Sequence, residues 1–111
     1  LDAALTTVAG NLTLTTATNV TTVTTIDSVT ANVVEWDVYI VNAGDATNVY
    51  AAKIFALSNG TTVDFTRFAT LKLGANIAGL TFTVTVTAGV ISLKVTSTTA
   101  VDVKARRLSA I

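Results

Sequence analysis

Thr81-Phe82-Thr83-Val84-Thr85-Val86-Thr87, then Ala88-Gly89, then Val90-Ile91-Ser92-Leu93-Lys94-Val95-Thr96-Ser97: this stretch decides the fold. Apolar and polar residues alternate with period 2, interrupted by a two-residue turn. Alternation of this kind puts one face of a strand toward a core and the other toward water. Phe82, Val84 and Val86 share one face, as do Ile91, Leu93 and Val95. Thr and Val are both β-branched, stiff at χ1 and suited to a pleated surface. The chain holds 23 Thr, and no window carries a helical 3.6-residue pattern. The fold class is all-β.

Working outward, Val33 to Ala43 reads as a strand with Trp36, Val38 and Ile40 on one face and Glu35, Asp37 and Tyr39 on the other. Asn42-Ala43-Gly44-Asp45 reads as a turn and Ala46 to Leu57 as the next strand. Ser58-Asn59-Gly60 is the clearest hairpin signal, because Asn-Gly readily adopts the positive φ of a tight turn. Thr61 to Leu73 returns, 74–79 is a loop, and Leu80 to Thr87 and Val90 to Ser97 follow. Thr98 to Ala100 connects to a last strand, Val101 to Leu108. With one or two strands before residue 33 the count reaches about seven or eight. Short strands, regular turns and no helix point to an antiparallel β-sandwich, jelly-roll or Ig-like. The expected core is Trp36, Val38, Ile40, Tyr50, Ile54, Val63, Phe65, Leu71, Phe82, Val84, Val86, Ile91, Leu93, Val95, Val101 and Val103. The sandwich is assigned to 24–111, and the Thr-rich 1–23 to an arm or first strands.

Composition excludes several function classes. The 111 residues include no His, Cys, Pro or Met, and the formal net charge is +0. Catalysis through His or Cys is impossible, Ser28, Ser58, Ser92, Ser97 and Ser109 have no His to activate them, and the usual ligands of zinc, haem and iron–sulfur sites are missing. Neutral charge without a basic block argues against a nucleic-acid partner. The 21 uncharged residues between Lys72 and Lys94 have the length of a membrane helix, but their period is 2 and Gly74, Gly79 and Gly89 interrupt them, so no membrane partner is expected. The first ten residues carry no basic n-region, and a chain without an initiator Met reads as processed, trimmed or a fragment.

The remaining chemistry is sparse. Glu35 and Asp37 are neighbours on one strand face, more simply a solvated pair than an acid–base couple. Asp37, Asp45 and Asp64 lie near turns but form no Asp-x-Asp-x-Asp loop, so no metal or other cofactor is assigned. Lys104, Arg106 and Arg107 make a small basic cluster that suits a strand edge. Asn11, Asn19 and Asn59 begin glycosylation-type triplets, which chance produces readily in so Thr-rich a chain. No enzyme activity is expected.

Two faces are too apolar for a free monomer. On the third strand Tyr50 and Ile54 point one way while Val49 and Phe55 point the other; on the fourth, Phe68 opposes Phe65. Strands apolar on both faces are usually covered on both, and only 13% of the residues are charged, against about 25% in ordinary domains. A second copy is the expected cover, and Phe55→Asp is expected to dissociate the assembly while leaving the monomer folded. Earlier in the chain Val20, Val23, Ile26 and Val29 recur every third residue, a period of neither strand nor α-helix. The segment is either a twisted or bulged strand of the same domain or an arm docking on a neighbour. Val49, Phe55, Phe68, Val20, Val23 and Ile26 are thus the candidate interface residues.

From Thr24 onward the chain resembles a β-rich domain of tailed-bacteriophage virion proteins, of the fibre and appendage type found in marine phages. The likeness rests on Thr25-Ile26-Asp27-Ser28-Val29, the strand from Val33 to Val41, Tyr50 to Leu57, the turn Ser58-Asn59-Gly60-Thr61-Thr62, Val63 to Arg67, Thr83 to Val95 and the basic close Val101 to Arg107. The resemblance implies a non-catalytic virion structural module in a fibre, spike or decoration. It implies location on the particle surface and assembly as a homo-oligomer, trimer or higher, with other virion proteins. A module binding host-surface glycan or receptor is the alternative, with Trp36, Tyr39 and Tyr50 as the aromatic candidates. A subunit of a prokaryotic surface filament is the third reading.

Overall fold

The computed structural model describes residues 12–28 and 31–111. Residues 1–11, with the Asn11 triplet and the start of the proposed arm, and Val29 lie outside them. The described residues form six strands: β1 (Leu12–Asp27), β2 (Val33–Asn42), β3 (Asp45–Ser58), β4 (Val63–Leu73), β5 (Thr81–Thr87) and β6 (Val90–Ala110). All ladders are antiparallel and belong to one hydrogen-bonded sheet in the order β1-β6-β2-β3-β4, with β5 also on β6. The all-β class stands. The expected seven or eight strands are six among the described residues, because the two strands read on either side of Thr98 to Ala100 are one. Those three residues are a kink in β6. Its register with β1 jumps there, from Ala17↔Val101 to Asn19↔Ser97, and Asn19 takes φ 58°. Buried Ser97 closes the kink locally: its Oγ donates to the Thr99 carbonyl at 2.7 Å and accepts from the Thr99 N–H at 3.3 Å.

The kink divides the sheet's work. Beyond it, β6 pairs with β2; before it, β6 pairs with β5, while β1 follows β6 through both halves. The sheet doubles over on itself, bringing Tyr50 of β3 onto Phe82 of β5, ring centroids 5.7 Å apart, although those strands share no ladder. Between the halves lies the core. Trp36, Val38, Ile40 and Ile54 meet Val84, Ile91, Leu93, Val95, Val101 and Val103, all essentially inaccessible. Tyr50, Val63, Phe65 and Val86 are half-buried at its margin. The core also takes Ala17, Val23, Ile26, Val34, Ala56, Ile77 and Ala105. Leu71, expected inside, is 72% exposed.

The period-3 pattern is a bulged strand. Thr22 pairs with Lys94 and Thr24 with Leu93, so Val23 is an extra residue. The slip lets Val23 and Ile26 both face inward, three residues apart. The Asn59-Gly60 turn is longer than the tight turn expected. Ser58 pairs with Val63, leaving a four-residue loop in which Asn59 Oδ1 accepts the backbone N–H groups of Thr61 and Thr62 at 3.0 and 2.9 Å. The two-residue turn falls at Ala88-Gly89, both at positive φ (51° and 78°).

Candidate assembly face

Strand alternation fixes what the outer face of β1-β6-β2-β3-β4 displays. Trp36, Val38 and Ile40 take the inner face of β2, so Glu35, Asp37, Tyr39 and Val41 stand outside. Directly paired residues point the same way, which carries the assignment across the sheet. One row runs Leu14, Lys104, Tyr39, Ala51, Leu71; the next runs Thr16, Asp102, Val41, Val49, Leu73. A third runs Leu12, Arg106, Asp37, Lys53, Phe68, and beyond it Glu35, Phe55 and Thr66 are aligned. Leu14, Tyr39, Phe55, Leu57, Phe68, Leu71 and Leu73 are all exposed. A groove of about 490 Å³ crosses the middle of the face, between Leu12, Tyr39, Ala51, Lys53, Leu71 and Lys104.

Three of the charges on this face meet one another, and Asp102 accepts from the Thr16 hydroxyl at 3.1 Å. Lys53 Nζ donates to Asp37 Oδ1 at 2.7 Å and lies 3.9 Å from Glu35. The hydrogen bond to Asp37 raises the ammonium pKa above its ordinary value, against a smaller opposing effect of desolvation. Half-exposed pairs of this kind contribute little stability. Lys104 stands 5.7 Å over the Tyr39 ring. The other half of the sheet is the contrast. Outward there, Thr81, Thr83 and Thr85 of β5 pair with Thr96, Lys94 and Ser92 of β6, a hydroxylated surface suited to water. One outer face is thus mostly hydroxylated, whereas the other exposes Leu, Phe and Tyr among its charged residues.

Of the six candidate interface residues, the structure brings Val49, Phe55 and Phe68 onto this one face. Val20 is 66% exposed but stands beside Thr96 in the Thr-rich half. Val23 and Ile26 are buried in the chain's own core and offer no surface, a correction imposed by the bulge. Leu71 and Leu73 are the residues alternation misplaced or missed. Between Ala51 and Lys53 one residue of β3 faces two of β4, and Ala69 takes φ 51°. That irregularity flips the phase counted from Phe65 and turns Leu71 outward. Nothing in the local sequence marks an Ala for a left-handed conformation.

The other candidates also fall into place. Trp36 is 1% exposed and unavailable to any ligand, whereas Tyr39 is exposed and Tyr50 half-buried. Asp37 is engaged by Lys53. Asp45 accepts from the Thr47 hydroxyl and N–H at 2.6 and 3.0 Å, which lowers its pKa, and Asp64 accepts from the Phe65 N–H. Among the described residues no three carboxylates converge as a metal site, and no helix is long and apolar enough to cross a membrane.

No protein-family model and no curated protein matches the chain. Solved structures resemble it, among them two phage tailspikes. The tailspike protein of Acinetobacter phage vB_ApiP_P1 superposes over 90% of this chain at 16% identity, with a TM-score of 0.54. The tailspike of Acinetobacter baumannii phage AM24 aligns over 88% at 15% identity, with a TM-score of 0.41. The chain spans only 22% and 26% of those proteins. The first likeness is one of fold: an all-β antiparallel domain of a kind also present within a phage tailspike.

Proposed function

We propose that the chain is a non-catalytic structural module of a phage fibre, spike or virion decoration, carried on the particle surface and assembled from copies of itself. The observation that carries the reading is the outer face of β1-β6-β2-β3-β4, where Leu14, Tyr39, Phe55, Phe68, Leu71 and Leu73 are exposed on one side of the sheet among the charged side chains of Lys53, Asp37 and Lys104. So many large apolar side chains exposed on one face mark a candidate interaction site. The fold shared with a phage tailspike supports the virion setting. Burial of this face would turn the sheet into the inner layer of a sandwich whose second layer is another subunit.

The test is a pair of substitutions. Phe55→Asp and Leu71→Asp place charge on the face without touching the core, so circular dichroism should be unchanged while sedimentation velocity shows a lower mass than the parent chain. Variants that keep the parent's mass would contradict the assembly role of this face.

A further inference from the structure

The doubled sheet does not close. β4 and β5 are both edge strands, and where they approach each other a cleft of about 580 Å³ opens beside the core, lined in part by Tyr50, Arg67, Thr70, Lys72, Asn76 and Thr81. Its placement follows from register. Arg67 pairs with Ile54 and Lys72 with Tyr50, both on the inner side of β3, so two cations of the edge strand point inward at the seam. The cleft is therefore on the opposite side of the sheet from the assembly face, and the inference does not depend on that reading.

Both cations are held, and neither is neutralised. The Arg67 guanidinium lies 5.9 Å from the Tyr50 ring centroid and 5.8 Å from that of Phe82, beside two rings that stack on each other. The two rings attract the cation without using its N–H groups, which leaves the planar fork available for a bidentate acceptor. Lys72 Nζ donates to Asn76 Oδ1. Among the described residues no carboxylate lines the cleft or forms an ion pair with either cation. The rim is equally set. Gly74 (φ 80°) lies so close to β3 that a Cβ would meet the Thr47 carbonyl and Asn48 Oδ1 at 2.5 Å, and Asn48 Oδ1 accepts the Ala75 N–H at 2.8 Å. The Ala78 carbonyl accepts from the Thr98 N–H at 3.1 Å and from its hydroxyl at 3.0 Å. Residues 74–80 are thus tied at both ends to the sheet, presenting Asn76 to the cleft.

We infer that this seam is a binding site for a small hydroxylated carboxylate, its carboxylate on Arg67 and Lys72 and its hydroxyls on Thr70, Asn76 and Thr81. Charge-assisted, bidentate hydrogen bonds supply the affinity, and the fixed rim lowers the ordering cost. Inward-pointing cations also guard a free strand edge against pairing with another chain. That role needs charge alone, whereas ligand binding needs the guanidinium's fork of donors.

The test is an NMR titration of the 111-residue chain with D-glucuronate, glucose, acetate and phosphate at constant ionic strength. Glucuronate should give saturable shifts at Arg67, Lys72, Asn76 and Thr81. Acetate should bind more weakly, glucose should leave the spectrum unchanged, and phosphate should not displace glucuronate at equal concentration. Arg67→Gln should weaken glucuronate binding about tenfold or more, with shifts elsewhere preserved. Arg67→Lys, which keeps the charge but loses the fork, should weaken it nearly as much. No saturable response, glucuronate and acetate binding equally, phosphate displacing glucuronate at equal concentration, or full binding by Arg67→Lys would overturn the proposal.

Discussion

Single residues show how this chain divides its labour between packing and local hydrogen bonding. Trp36 is the largest fully buried side chain, and its removal leaves a void between the two halves of the sheet. Trp36→Ala should cost about 3–5 kcal/mol in chemical denaturation, with no effect specific to any surface. Asp45 works differently. Two hydrogen bonds from Thr47 lower its carboxyl pKa, so whatever it contributes is present above the ordinary carboxylate range and lost as the pH falls through the lowered value. An NMR titration should place the Asp45 midpoint below that of a free Asp, and Thr47→Val should move it upward. Lys53 has the opposite sign. Its pKa is raised mainly by Asp37, so its contribution is complete below the ordinary lysine value of 10.5 and disappears as the pH rises through the raised one. Asp37→Asn should return the Lys53 midpoint toward that ordinary value.

Strands carry the part of the fold that was legible from sequence, and bulges the part that was not. β2, β5 and the first half of β6 alternate strictly, and their inner faces are the ones the sequence predicts. β1, β4 and the kink of β6 each contain an added residue or more, and there the phase changes without a chemical marker: Val23 and Ile26 turn inward, Leu71 outward. The candidate assembly face was half visible for the same reason. Val49, Phe55 and Phe68 sit on regular stretches, whereas Leu71 and Leu73 follow the Ala69 irregularity. Turns repeat the lesson. Asn59-Gly60 makes a longer loop, while the two-residue turn carries an Ala at φ 51°, a conformation that costs an L-residue roughly 1–2 kcal/mol. Ala88→Gly should therefore raise the midpoint of thermal unfolding, in the direction of about 0.5–1 kcal/mol of added stability. An unchanged or lower midpoint would show that the strand register, and not the turn, dictates that φ.

At the scale of the whole molecule, one sheet folds over itself around a single core and leaves two unlike outer surfaces. The Thr-rich surface suits water. The other, with Leu, Phe and Tyr exposed among its charged residues, suits another protein. The proposal of a self-assembling virion module stands on that asymmetry. The most direct measurement is the native mass of the chain by static light scattering at micromolar concentration. A discrete multiple of 11.4 kDa is the predicted result. A stable monomer whose apolar face remains open would contradict it.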